Sequence, residues 1–332
     1  MQIEFRTKDE SIRAQIEAFL QDWPSMEFFT VKTSGSTGKP KTLKIDRKYA
    51  EASARKTIDY LNLQKGNTAL LCLSPETIAG KMMLIRSFVG ELNLIVGDVS
   101  SSPLMSIQDN EVIDFAAMVP LQVRKSLESE KFKIQRIQNL IIGGAPITNA
   151  LENEILAAKL HAFQTFGMTE TISHIALRKI DGSAPVFKGV SNTTFSQGIE
   201  KNLIIHSPDI GVDSLETNDI VELIDLQSFR WIGRKDHVIN TGGVKVFPEQ
   251  IESKIRTDQN IFISSIADEI LGQQVILCVE GNSFSKELLE GLSRYERPKC
   301  IYYFDKFNYT ASDKVNRKET INRISNARKQ VL

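Results

Sequence analysis

Between residues 69 and 159, four short and uninterrupted apolar runs (69–74, 92–96, 115–120 and 139–144) are set among stretches of helical periodicity (78–89, about 121–129, and 148–159). A strand with one wet face alternates apolar and polar residues, whereas a strand covered on both faces reads as a continuous apolar run. The pattern therefore predicts an α/β fold, with a parallel sheet sandwiched between helices. Such sheets bind ligands beyond the carboxyl ends of their strands. Two Gly-bearing segments, residues 33–41 and 143–146, follow predicted strands and so stand where a ligand is expected.

The flanks read differently. Ile12, Ile16, Phe19 and Trp23 recur at helical spacing before Pro24, which predicts a helix over 11–23. A short strand is expected at 28–31, and a helix at 46–63 with Asp46 as its cap. Past about residue 160, short strands separated by turn residues predict a second, more antiparallel sheet or a distorted barrel. A third texture follows Asp236: a helix after Pro248, strands at 260–267 and 274–280, a helix at 284–291, a strand at 300–304 and a C-terminal helix from about 316. The expected organisation is a large N-terminal domain, 1–235, of parallel sheet and helices plus a smaller β subdomain, hinged to a small α+β domain, 236–332.

Composition mainly excludes. Lys plus Arg and Asp plus Glu each number 41, so the formal net charge is zero, and electrostatics give no reason to expect nucleic acid or an anionic membrane surface as partner. Cys72, Cys278 and Cys300 are odd in number and widely spaced, which fits buried thiols rather than a disulfide framework or a zinc site. The four histidines show no metal-binding spacing. The charged N-terminus and the lack of an apolar run near 18 residues point to a cytoplasmic protein without membrane insertion. A neutral surface permits a homodimer.

Four segments carry chemistry. Thr33, Ser34, Gly35, Ser36, Thr37, Gly38, Lys39, Pro40 and Lys41 combine glycines, hydroxyls and lysines. Such a segment can cradle an anion with backbone N–H groups and add donors and positive charge. It lacks the Walker spacing, since Thr33 stands where that pattern needs Gly. In Phe166, Gly167, Met168, Thr169 and Glu170, a hydroxyl beside a carboxylate could hold a phosphate and Mg²⁺; a plain strand-to-loop turn is the alternative. Residues 233–252 open with dense charge and then place Gly242 and Gly243 at a tight turn. Residues 309–318 taken alone are a basic loop.

Taken together and in order, these segments resemble the adenylate-forming superfamily of acyl-CoA synthetases, peptide-synthetase adenylation domains and luciferases. TSGSTGKPK is similar to its phosphate loop, Gly143-Gly144-Ala145-Pro146 to its adenine-contacting turn and FGMTE to its YGMTE-type motif. Thr217-Asn218-Asp219 resembles its TGD motif with Asn for Gly, GRKDHVINTGGVKVFPEQIE its hinge motif, and SDKVNRK its C-terminal SGKVxRK motif with Asp313 for Gly. The resemblance implies a two-step reaction in which ATP and a carboxylic acid give an acyl-adenylate and a thiol, coenzyme A or a carrier-protein arm, then displaces AMP.

By the same resemblance, Lys314 is the adenylation lysine, Thr169 bonds the α-phosphate, Glu170 holds Mg²⁺, Asp219 and Arg234 hold the ribose, Asp236 is the hinge, and Gly242-Gly243 serves thiolation. Residues 168–178 look like short o-succinylbenzoate–CoA ligases of menaquinone biosynthesis, which makes Ser173 and His174 candidates for the acyl pocket. His174 could equally be a core or surface histidine of a strand instead of part of that pocket. Lys81 or Arg86 could pair with a second substrate carboxylate, although Lys81 also reads as an ordinary surface lysine. CoA ligation of another aryl or short-chain acid, and a non-catalytic adenylate binder, are the competing readings.

Overall fold

The computed structural model describes residues 1–32, 41–310 and 315–332. In chain order its elements begin with β1 (Ile3–Phe5), α1 (Glu10–Asp22), β2 (Phe28–Lys32), β3 (Thr42–Asp46), α2 (Arg47–Tyr60), β4 (Thr68–Leu71) and α3 (Ile78–Val89). Next come β5 (Asn93–Val96), β6 (Phe115–Met118), α4 (Pro120–Ser129), α5 (Lys131–Ile134), β7 (Leu140–Ile142), α6 (Asn149–Ala157) and β8 (Ala162–Met168). The middle of the chain adds β9 (Ser173–Lys179), β10 (Phe187–Gly189), β11 (Thr194–Gln197), β12 (Asn202–Ser207), β13 (Val212–Asp225) and β14 (Ser228–Arg234). The remainder holds β15 (Ile239–Thr241), β16 (Val244–Val246), α7 (Pro248–Lys254), β17 (Ile261–Asp268), β18 (Gly272–Glu280), β19 (Cys300–Phe304), α8 (Arg317–Ile321) and β20 (Arg328–Val331).

The apolar runs form the parallel part of a 12-stranded sheet ordered β1-β5-β4-β6-β7-β8-β9-β10-β14-β13-β12-β11. Their continuity has a direct cause. Leu70, Ile95, Ala116, Met118, Leu140 and Ile142 face a core built with α4, α5 and α6. Their chain neighbours Ala69, Leu71, Leu94, Val96, Phe115 and Ile141 face the opposite core, which includes Ile16 of α1 and Met83 and Leu84 of α3. With both faces dry, neither set can be polar.

Three expectations need correction. The strands after residue 160 do not make a separate sheet: β8 pairs β7 in parallel and β9 antiparallel, so the parallel and antiparallel halves are one sheet. β2 is not part of the parallel sheet but one arm of a two-stranded antiparallel pair with β3. In the C-terminal part, the helix expected at 284–291 is a 3-10 turn, Lys286–Leu289, and the expected final helix is only the five residues of α8. The chain instead ends in β20, which pairs β19 at the edge of a six-stranded sheet. A smaller difference is that Asp46 stands at the head of α2 without a side-chain cap bond. Among the described residues, no helix is long and apolar enough to cross a membrane.

The antiparallel half is pinned by rings. Phe187 stacks on Phe229 at a centroid distance of 5.5 Å, while Phe166 and Phe195 meet Phe229 edge-on at 5.1 and 4.8 Å. Such pairs contribute beyond simple area burial. Phe229 is fully buried, so Phe229→Ala should lower the unfolding free energy by about 3–5 kcal/mol, read as a shift of the denaturant midpoint, with Phe229→Leu losing clearly less.

Candidate active site

At the carboxyl end of β7 the chain turns through Gly143, Gly144 and Ala145, and Gly143 N donates to Met118 O at 3.1 Å. A Cβ on Gly143 would lie 2.3 Å from Thr165 Oγ1 of β8, so with this hydroxyl in place the turn lies against the neighbouring strand only because the residue is glycine. That strand carries Phe166, held by the ring cluster, then Gly167 and Met168, and leads into a 3-10 turn, Thr169–Thr171.

The exit from this turn is strained. Ile172 and Ser173 have φ angles of 51° and 83°, a left-handed region that a β-branched residue occupies only when its surroundings force it to. Each such residue costs about 1–3 kcal/mol. The restraints are visible. Ser53 Oγ of α2 donates to Ile172 O at 2.9 Å. Met168 N donates to Thr171 Oγ1 at 2.9 Å, and that hydroxyl donates to Ser173 O at 2.7 Å. Ile172 itself is buried in the core. The result is that Thr169 is half-buried and Glu170 is exposed. The Glu170 carboxylate has no hydrogen-bond or ionic partner among the described residues, and so suits a hard divalent cation that takes oxygen donors.

Behind the turn lies a buried polar group. Arg86 of α3 is 1% exposed and donates through Nε to Thr57 Oγ1 at 3.1 Å and through Nη2 to Ser173 Oγ at 3.2 Å. Thr57 Oγ1 donates to Ser53 O at 3.3 Å and lies 3.1 Å from His174 Nε2. With its hydroxyl proton spent on Ser53, Thr57 must accept from the histidine, so Nε2 carries the proton. His174 Nδ1, 3.5 Å from Arg86 Nη2, is then the acceptor. Burial, and secondarily the Arg86 charge, hold His174 well below its usual range and therefore neutral. Burial also pushes the Arg86 guanidinium down to about 9. No carboxylate of the described residues pairs with Arg86, which leaves an isolated buried cation. His174 is thus buried, and the surface alternative does not hold. Lys81 does not join this group among the described residues, and its ammonium sits 5.0 Å from the Phe19 ring centroid.

A third set stands further along the same sheet. Asp219 of β13 lies opposite Arg234 of β14. Trp231 Nε1 donates to Asp219 Oδ1 at 2.8 Å, and Arg234 Nη1 is 3.8 Å from Oδ2. Thr217 Oγ1 donates to Leu203 O and accepts from Asp219 N at 3.1 Å, fixing the backbone under the carboxylate. Burial raises the Asp219 carboxyl, offset in part by the Trp231 bond and the Arg234 charge. Arg234 also donates from Nε and Nη2 to the two oxygens of Asp236 at 3.0 and 3.2 Å. Gly242 and Gly243, with φ of 57° and 80°, form the two-residue tip of the β15–β16 hairpin, as a primed turn demands.

The sheet therefore carries the Gly143–Ala145 turn, Thr169–Glu170 and the Asp219–Arg234 pair on one framework. Residues 33–40, which include the phosphate-loop candidates, and 311–314, which include Lys314, lie outside the described residues. Sequence reasoning missed Ser53, Thr57 and Trp231. The two α2 residues sit in a helix whose motif-free sequence gives no sign of partners more than a hundred positions away. Trp231 offered one signal, an aromatic three residues before Arg234 on a strand paired with the Asp219 strand.

The sequence model of the family described as AMP-binding enzyme matches residues 24–193. A probable 2-succinylbenzoate–CoA ligase of Mycobacterium tuberculosis is 28% identical over 290 residues, covering 79% of this chain and 73% of that protein. The crystal structure of an acyl-CoA synthetase (AMP-forming)/AMP-acid ligase II-like protein from Dyadobacter fermentans is 32% identical with a TM-score of 0.65, covering 96% of both chains. The o-succinylbenzoate CoA synthetase of Bacillus subtilis, solved with its acyl-adenylate intermediate, shares the fold with a TM-score of 0.78 at 21% identity, over 91% of this chain and 70% of that one. By motif order, sheet architecture and sequence match, the chain belongs to the AMP-binding enzyme family.

Proposed function

We propose that this protein is an ATP-dependent acid–thiol ligase that converts o-succinylbenzoate to its acyl-adenylate and then to the coenzyme A thioester. The observation that carries the reading is the alignment of three sets on one sheet: a glycine turn packed on β8, a strained turn that exposes Glu170, and the buried Asp219 paired with half-buried Arg234. The cytosol, where ATP and CoA are at hand, is the setting this reading assumes.

In this account a carboxylate oxygen attacks the α-phosphate and pyrophosphate leaves. Two anions must meet, so the residues serve by positioning and charge neutralisation rather than as a general base. Thr169 donates to the α-phosphate. Asp219 accepts from the ribose hydroxyls, with Arg234 beside it. Lys314 and the 33–39 segment supply the remaining positive charge and phosphate donors. Glu170 would hold Mg²⁺, which when bound neutralises phosphate charge. In the second step the thiol sulfur attacks the acyl carbon and AMP departs. We assign residues 1–235 and 236–332 to two units that turn about Asp236 between the steps, bringing Lys314 and then Gly242-Gly243 to the acyl group. The change of sheet between Arg234 and Ile239 supports that division.

Arg86 supports the choice of acid. An uncompensated buried guanidinium is costly, and a substrate's second carboxylate would supply the missing charge. Arg86→Gln should raise KM for o-succinylbenzoate about ten- to a hundredfold, the loss of a charge-assisted hydrogen bond, while KM for ATP stays put. An equal rise in both would remove Arg86 from the acyl pocket. Lys314→Ala should cut pyrophosphate release at least about a hundredfold yet leave CoA-dependent consumption of supplied acyl-adenylate within about twofold of wild type. Parallel losses in the two half-reactions would contradict the role assigned to Lys314.

A further inference from the structure

α7 presents Glu249 and Glu252 on one face, three residues apart. Both address Arg317. Its Nη2 donates to Glu252 Oε2 at 2.7 Å, and its Nη1 is 3.9 Å from Glu249 Oε1. Glu252 Oε1 also accepts from Ile263 N at 2.7 Å, so this carboxylate is fixed from β17. Arg317 Nη1 reaches Ile263 O as well, at 3.3 Å. On its other side, Glu249 Oε1 accepts from His237 Nδ1. The second Glu249 oxygen, Oε2, is buried with no hydrogen-bond partner and rests against Gly233, where a Cβ would stand 2.6 Å from it.

Position in the chain gives this cluster its interest. His237 follows Asp236 directly, and Gly233 precedes Arg234. Arg317 comes three residues after Lys314, and Val315 between them bridges Tyr309. Asn316 N donates to Asn308 O at 2.7 Å, so the residues after Lys314 are tied at their base. One carboxylate thus touches the turn after the hinge position, the strand end of the ribose pair, and the segment after the lysine. Stability alone gives no reason for this. Replacing a largely desolvated ionic cluster such as this half-buried one with apolar side chains is often neutral or favourable, and an orphaned carboxylate oxygen adds a cost.

We infer that Glu249 is a positioning residue for adenylate formation: through Arg317 and His237 it fixes the segment that follows Lys314 against the strand end at Gly233. This rests on the role given to Lys314 above. Thiolysis, which that account assigns to Gly242-Gly243, does not draw on the contact.

The test compares wild type with Glu249→Gln, which keeps size and an acceptor but removes the charge, and with Arg317→Lys, which keeps the charge but loses the fork. The rate of acyl-adenylate formation should fall about ten- to a hundredfold, as for a displacement of the order of an ångström. CoA-dependent consumption of supplied acyl-adenylate and KM for ATP should hold. Hydrogen exchange over 315–321 should quicken in both variants, while exchange at 300–304, the β19 control for folding, stays unchanged. Losses of equal size in both half-reactions, or unaltered exchange over 315–321, would overturn the inference. If wild type forms no adenylate with any acid, it is the proposed function that fails, and the exchange comparison still decides whether Glu249 holds the segment.

Discussion

The site depends on a backbone that the chain would not adopt unaided. Ile172 and Ser173 leave β8 in left-handed conformations, and the strain is sustained by bonds from outside the turn: Ser53 to Ile172 O, and Arg86 to Ser173 Oγ. Without that bracing, β8 and β9 would be joined by a relaxed turn, and Thr169 and Glu170 would point elsewhere. The bracing needs α2 and α3 held against the sheet. The dry double-faced packing of β4 to β8 provides this, and with it the geometry of the site. Fold and site are thus linked through one strained turn.

The electrostatics follow from the same burial. A guanidinium at 1% exposure with no carboxylate beside it among the described residues is held by a hydroxyl, another hydroxyl and a neutral imidazole. Those partners orient the charge without cancelling it. At the Asp219–Arg234 pair the balance is reversed: the buried Asp219 carboxylate meets an indole N–H and a more distant arginine, so it keeps acceptor capacity. In both places the chain keeps a charged group short of full compensation, which marks each as a candidate ligand site.

Much of the fold was legible because burial writes itself into local sequence. The runs at 69–74, 92–96, 115–120 and 139–144 mark β4 to β7, with β4 beginning one residue earlier at Thr68, and the helix expected at 78–89 is α3 to the residue; the parallel strands β1 and β8 lie outside those runs. What was not legible depended on pairing. β3, β10 and β11 are short strands with mixed burial, defined by neighbours rather than by their own pattern. Glu290 and Gly291 end the turn at 286–289 before a helix can propagate. That the antiparallel strands extend the parallel sheet is a long-range fact, set by the β8–β9 register. The site divides the same way. Its motifs are contiguous strings and could be read directly, whereas the Ser53, Thr57 and Trp231 bonds arise only when distant elements meet. That His174 is buried was not legible, because a strand histidine carries no local sign of which face it will occupy.

The central claim is that this framework joins an acid to a thiol through an adenylate, and one assay addresses it directly. Purified protein is given ATP, Mg²⁺ and CoA with o-succinylbenzoate, pyrophosphate release is followed, and the products are weighed by mass spectrometry. The account predicts pyrophosphate release that requires the acid, together with the o-succinylbenzoyl thioester of CoA. A protein that binds ATP but releases no pyrophosphate with o-succinylbenzoate or with any other aryl or short-chain acid would contradict it.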